Sequence, residues 1–289
     1  MWTGFYAAFR LLHLSLLRAG CDVRVNDFTL ALRHPTYPIG ISGYPSVLEH
    51  VSLPNPAIFG PGDYGLPDRA RFVAEDPRFR KLIQPSEWAV EFYRPSCGDK
   101  MMAMPVGIDT DRWYDSAGLK KDLDVLVYDK LRWHREREVP RVLDRITEHL
   151  RRNGRSFEVL RYGDHHHTRF AALVRRSRAM LFLCEHETQG IACNETMASN
   201  VPVLAWDEGV LVDPMFRKFA PPDFRVTSVP YFDARCGERF TMDNFEATFA
   251  TFWSNLGSYR PRSYVLESLS LERSAQIYLG AYGSLMPPR

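Results

Sequence analysis

Residues 179–206 read AMLFLCEHETQGIACNETMASNVPVLAW. Ala179–Cys184 and Val201–Trp206 are short, almost wholly apolar runs, the pattern of parallel strands covered on both faces. The residues between them leave room for a short crossover helix. Gly190 lets backbone N–H groups approach a ligand without a Cβ in the way. Asn200 before Val201 and Pro202 is a helix stop, since Asn tolerates the left-handed conformation and Pro cannot continue a helix. The stretch therefore predicts strand, ligand-facing turn, helix and strand, which is an α/β unit.

Glu187 and Glu195 flank the turn eight residues apart. Spacing alone decides nothing, because Glu238 and Glu246 share it without a buried strand, a turn glycine or a following strand. The first pair is distinguished by its frame: Glu187-Thr188-Gln189-Gly190-Ile191, then Glu195-Thr196-Met197-Ala198, then Val201-Pro202-Val203. That frame resembles the Glu-X7-Glu signature of retaining nucleotide-sugar glycosyltransferases of the GT-B fold, the group 1 or family 4 type. The resemblance implies two Rossmann-like domains with parallel sheets facing a cleft.

The chain has 289 residues, 45% hydrophobic and 13% aromatic, enough for two domains with working cores. A net charge of +2 with mixed signs gives no electrostatic case for nucleic acid as a partner. Cys21, Cys97, Cys184, Cys193 and Cys236 are odd in number and scattered, so neither a disulfide framework nor a zinc site is indicated, and a reducing cytoplasm is the expected compartment. No apolar run is long enough to cross a membrane. The apolar N-terminus, interrupted by Arg10 and His13, reads as a domain helix with Phe5, Phe9, Leu12 and Leu16 inward. Peripheral association with the inner membrane face is the other reading kept for it.

In chain order, a helix to Ala19 is followed by Cys21–Val25 as a strand, the second half of a βαβ unit without its first strand. Against the family resemblance either the chain starts late or the first domain is shortened, and Gly4 is the candidate remnant of its Gly-rich loop. From Thr29 to Pro67 the chain is dense in Pro and Gly, with extended runs at Ser46–Val51 and Ala57–Phe59. Asp63 stands where many family members place a His that contacts the sugar, although a turn role suits it better. Lys81–Ser86 predicts a strand with its loop and Glu87–Tyr93 a helix. Ala103–Trp113 resembles the family's interdomain linker, which implies domains of residues 1–112 and 113–289, with the terminal helices crossing back to the first. Asp109-Thr110-Asp111 lies at this boundary rather than after a strand, so a metal role is set aside.

The second domain opens with a strand at Leu123–Tyr128. Its helix carries Val139, Val142, Leu143, Ile146 and Leu150 on one face. Lys130, Arg132 and Arg135 lie between them, where open α/β sheets bind ligands. The resemblance assigns two cations here to the donor diphosphate, Lys130 and Arg135, with Arg132 as competitor. Phe157–Tyr162 predicts a strand and Phe170–Ser177 a helix, with Gly163–His167 as a polar loop rather than a zinc site. Arg225–Phe232 is an extended segment. Phe245, Phe249, Phe252 and Trp253 form a core-facing helical stripe, Pro261 breaks it, and Leu271–Leu285 is the terminal helix.

Departure of a diphosphate calls for fixed positive charge and aimed N–H donors. The helix beginning after Gly190 supplies donors, and Lys130 with Arg135 or Arg132 supplies charge. By resemblance Glu187 holds sugar hydroxyls near the reaction centre and Glu195 the ribose hydroxyls, while Thr188, Gln189 and Gly190 line the donor. It also implies retention of configuration, no metal and no cofactor, with a nucleoside diphosphate sugar as co-substrate and a glycan, lipid or small molecule as acceptor. Two alternatives stay open: a silent nucleotide-sugar-binding or partner subunit, and a phosphorylase or sugar-nucleotide epimerase of the same fold.

Overall fold

The computed structural model describes residues 4–44, 46 and 49–287. The chain forms two compact units, the first reaching Gly107 and including the segment from Leu269 onward, the second spanning Ile108–Ser268.

The first unit starts with α1 (Gly4–Arg18) and α2 (Phe28–Arg33). It continues through β1 (Ile39–Gly43), β2 (Ala57–Gly62), α3 (Pro67–Glu75), β3 (Phe79–Gln84), α4 (Glu87–Cys97) and β4 (Met101–Ala103). The strands form one parallel sheet in the order β1-β2-β3-β4. Ile58, Phe59, Leu82 and Ile83 are fully buried in it. Each such side chain contributes about 1.5–3 kcal/mol relative to exposure.

Cys21–Val25 is not a strand: it lies in irregular backbone, Arg24 is ion-paired to Asp22, and Val25 is exposed. An alternating apolar pattern makes a strand only where a neighbour takes its backbone hydrogen bonds, and among the described residues none does. The run expected at Ser46–Val51 includes residues 47 and 48, which lie outside the described residues.

The second unit contains β5 (Leu123–Lys130), α5 (Arg135–Glu138), a π-helical turn (Val139–Asp144) and α6 (Arg145–Arg152). Pro140 lacks the N–H that a regular α-helix would use there, and the widened turn accommodates it. Then come β6 (Phe157–Arg161), α7 (His167–Arg176), β7 (Ser177–Cys184), α8 (Ile191–Ala198) and β8 (Val203–Trp206). The unit continues with α9 (Pro214–Arg217), β9 (Gly237–Phe240), α10 (Phe245–Ser254) and α11 (Pro261–Ser268). The closing helix α12 (Leu271–Gly283) belongs to the first unit and packs on α1.

The second sheet is parallel, in the order β6-β5-β7-β8-β9. Alternation places Val125 and Val127 on the face that packs with Leu181, Leu183, Val142, Ile146, Leu150, Phe249 and Phe252. The opposite face stacks Tyr128 on Phe182 and against Phe170 of α7. Both faces are covered, which is why these strands read as continuous apolar runs.

Three expectations change here. The last strand is β9, while Arg225 makes only an isolated antiparallel bridge to Val210. β9 opens on Gly237 at φ +139°, where an added Cβ would stand 1.9 Å from the Val203 carbonyl oxygen. Pro261 starts α11 rather than ending a pattern, as suits a first helical position. The third change is that α7 begins at His167, three residues before the expected start. Among the described residues no helix is long and apolar enough to cross a membrane.

Candidate active site

After β5 the chain turns to β6 on one side, while β7 lies on the other. The crevice at the carboxyl ends of β5 and β7 is therefore a topological switch point, where open α/β sheets place ligands. In that register Lys130 lies opposite Cys184, so the loops that leave the two strands meet.

The Lys130 ammonium pairs with the Glu187 carboxylate, and the Arg132 guanidinium stands 3.6 Å from the same oxygen. Lys130 also lies 4.4 Å from the centroid of the Tyr162 ring. Burial is the largest influence on each and opposes both charges, but the neighbouring charges and hydrogen bonds together outweigh it. The Glu187 carboxyl is held below the usual carboxylate range, and Lys130 above the usual lysine value. Both groups stay charged at neutral pH.

Arg132 is fixed by its loop. Its Nη2 donates to the His186 carbonyl at 2.7 Å, and its side chain stacks over Trp133, which itself stacks on His186. The backbone N–H groups of Arg132 and Trp133 donate to the buried carboxylate of Glu185 at 3.0 and 3.1 Å. Burial raises the Glu185 carboxyl above its ordinary value, against the pull of those N–H donors. It also pushes His186, beside Arg132, down to about 4. Glu185 escaped the sequence reading; its one signal there is a carboxylate at the end of a buried strand.

Arg135 takes a different direction from the one expected. Its guanidinium holds Asp129 through both nitrogens, at 2.9 and 2.8 Å, and also donates to the Leu131 carbonyl. Asp129 is only 2% exposed. The structure thus brings Lys130 and Arg132 to Glu187, and gives Arg135 to the strand end.

The turn before α8 is built on Gly190, whose φ of +76° and ψ of 49° are left-handed. A Cβ there would meet nothing closer than 3.7 Å, so conformation rather than space calls for glycine. Asn194 Nδ2 donates to the buried Gln189's carbonyl at 3.3 Å, and Thr188 is exposed. The Glu187 N–H donates to the Thr227 carbonyl at 3.0 Å. Asp207, following β8, holds that segment by accepting from Thr227 Oγ1 and the Ser228 N–H.

Glu195, on α8, is buried, and burial raises its carboxyl above the ordinary value, only partly offset by His167. His167 Nε2 stands 3.2 and 3.1 Å from its two oxygens, and Arg112 Nη2 stands 2.8 Å from His167 Nδ1. The sequence places His167 in a polar loop weighed against a zinc role and gives Arg112 no role. His167 is the first residue of α7, at the carboxyl end of β6, so the helix start was its available signal. His165 instead contacts the Arg161 carbonyl, so these two histidines face different partners. Among the described residues no group of three His, Cys, Asp or Glu side chains could hold a metal ion. Asp109 Oδ1 accepts the backbone N–H groups of Asp111 and Arg112 and shapes the turn that presents Arg112.

Gly4 and Asp63 lie in the first unit. Gly4 opens α1, and Asp63 Oδ1 accepts the Gly65 N–H at 2.7 Å, which is a turn contact.

No protein-family model matches the sequence, and no curated protein matches it significantly. Solved structures do. A glycosyltransferase from Rickettsia africae ESF-5 aligns with 100% of this chain and 85% of its own, at 12% identity and a TM-score of 0.58. Sucrose-phosphate synthase from Thermosynechococcus elongatus aligns with 86% of this chain and 73% of its own, at 12% identity and a TM-score of 0.53. A variant of S. aureus TarM, solved with fondaparinux, α-GlcNAc-glycerol and UDP, aligns with 79% of this chain and 51% of its own, at 12% identity and a TM-score of 0.50. At such identity the likeness is one of fold: the chain has the α/β GT-B architecture of these glycosyltransferases.

Proposed function

We propose that this chain transfers a sugar from a nucleoside diphosphate sugar to a hydroxyl of a glycan, lipid or small-molecule acceptor, with retention and without a metal. The observation that supports this best is the convergence, at the sheet's switch point, of Lys130, Arg132 and Glu187 with the Gly190 turn that opens α8. Two fixed cations and the helix N-terminus suit a departing diphosphate. Glu187 is placed to exchange its cation contacts for hydroxyls of the sugar, and Glu195, one helix turn inside α8, to accept those of the ribose.

In this reading the C1–O bond to the diphosphate breaks while C1 bonds to the acceptor oxygen on the same face. The acceptor's proton passes to the departing phosphate oxygen. Lys130, released as Glu187 turns to the sugar, neutralises the negative charge that develops there. Removing one such group costs about 10²-fold or more in rate.

A second reading, a nucleotide-sugar-binding protein that performs no transfer, draws on the ion pair between Arg135 and Asp129. That pair withdraws Arg135, one of the two cations expected at the diphosphate. One series of measurements separates the readings. Thermal-shift screening with UDP, GDP, ADP and their sugars should find a stabilising donor, and chelator should not weaken it. Release of the nucleoside diphosphate from that donor should be lost in Glu187→Ala with the fold intact. Binding without any turnover, including hydrolysis, favours the second reading, and binding of none of these nucleotides defeats both.

A further inference from the structure

The contacts around Glu195 carry more than its place on α8. Arg112 Nη2 lies 2.8 Å from His167 Nδ1. A guanidinium only donates hydrogen bonds, so Nδ1 must be the acceptor and the ring proton must sit on Nε2. That N–H faces both oxygens of Glu195, at 3.1 and 3.2 Å. Beside this shared donor, only the Trp113 indole N–H among the described residues reaches the carboxylate, so lone pairs of it remain unused, and the side chain keeps 9% exposure.

The frame around this contact is rigid. Trp113 packs edge-on to His167 at 5.2 Å, is itself 2% exposed, and bears on the Glu195 carboxyl through its indole. Phe170 stacks on His167 from the next turn of α7. Arg262 Nη1 donates to the carbonyls of both Trp113 and Ala198, tying the Arg112 turn to the end of the helix that carries Glu195. Asp109 sets that turn from its other side. Helix, turn and imidazole therefore leave the carboxylate one orientation.

We infer that His167, held by Arg112 as the Nε2–H tautomer, is a positioning residue that orients both Glu195 oxygens toward a vicinal ribose diol, so that the site selects ribonucleoside over 2′-deoxyribonucleoside diphosphates. The inference rests on the nucleotide-sugar reading above. A carboxylate accepts one hydroxyl on each oxygen only when its plane is fixed, and a donor shared between both oxygens restrains that plane while leaving the remaining lone pairs of each oxygen to the diol. Loss of one hydroxyl partner then leaves a buried acceptor unsatisfied, which is what makes such a site discriminate.

Calorimetric titration with UDP, GDP and ADP, each beside its 2′-deoxy counterpart, tests this on the full chain. The wild type should prefer the ribose form by roughly tenfold or more. His167→Phe keeps the ring packing but removes the donor, and should lose most of that preference by weakening the ribose form. His167→Gln keeps an N–H donor and should retain it, and Arg112→Met, which frees the tautomer, should reduce it. A preference that survives in His167→Phe, or an equal weakening of both nucleotide forms in Phe and Gln variants alike, overturns the inference. Binding of a ribonucleotide with no ribose preference in the wild type also overturns it while sparing the donor site. If none of the three nucleotides binds, the nucleotide-sugar reading itself falls.

Discussion

The ammonium of Lys130 and the carboxylate of Glu187 form a buried ion pair across the carboxyl ends of two neighbouring parallel strands, with 11% and 10% side-chain exposure. Breaking a buried pair leaves a desolvated charge, whereas replacing both partners often does not. Because Arg132 still faces Glu187 at 3.6 Å, Lys130→Met should cost less than the roughly 3–5 kcal/mol of an unpaired buried charge, about 2–3 kcal/mol, and the double variant Lys130→Met/Glu187→Leu should recover part of it. Urea titration of the three proteins measures this. A double variant as unstable as the single would show that the pair's worth lies in packing. Acid acts on the same pair: folded Glu187 has the lower pKa, so its contribution is full above the unfolded value of about 4.3 and is lost as pH falls through the folded one.

Glu195 should behave in the opposite sense. Its folded pKa is raised by burial, so the folded chain binds more protons than the unfolded one. Its contribution to stability is present below about pH 4.3 and is lost as pH rises through the raised value. Glu195→Gln should accordingly raise the melting temperature of the free protein at neutral pH and flatten that decline, while weakening nucleotide binding. Melting curves across pH check the first effect; an unchanged slope would remove the titration of Glu195 from the account.

Arg132 and Arg135 should part company on substitution. Arg135→Ala leaves Asp129 buried without its bidentate partner and should cost roughly 2–3 kcal/mol, less than a fully buried pair because Arg135 keeps solvent contact. Arg132→Ala should affect stability less and weaken nucleoside diphosphate binding roughly tenfold or more. Denaturation and binding assays on both variants decide; the reverse pattern would assign the phosphate contact to Arg135.

Two glycines should differ in the size of their effect. Gly190→Ala meets no atom closer than 3.7 Å, so its cost is backbone conformation alone, about 1–2 kcal/mol. Gly237→Ala adds a methyl 1.9 Å from the Val203 oxygen and must part β8 from β9, costing about 3 kcal/mol or more. Equal losses in chemical denaturation would contradict this account.

The run 179–206 could be read as strand, turn, helix and strand because each signal in it is local. Apolar run length reports a two-sided strand, glycine reports a left-handed turn, and Asn200, at φ +60°, reports a helix end. The stripe that runs from the π-helical turn into α6 and the aromatic stripe of α10 were legible for the same reason: helical periodicity alone places them against the sheet. Cys21–Val25 shows the limit of such signals. Its alternation suits a strand, but pairing depends on a neighbour that no local pattern announces.

The candidate site divides along the same line. Spacing put Lys130, Arg132 and Arg135 on one loop, but the direction of each side chain depends on its competitors. Asp129 captures Arg135, and the His186 carbonyl with the Trp133 ring turns Arg132 toward Glu187. His167 and Glu195 meet although 28 residues separate them, and Arg112 reaches His167 across 55. Backbone periodicity is written into neighbouring residues and survives in a bare sequence. The pairing of charges and hydrogen-bond donors is settled by distances of about 3 Å, which exist only once the sheet has brought the ends of β5, β6 and β7 together.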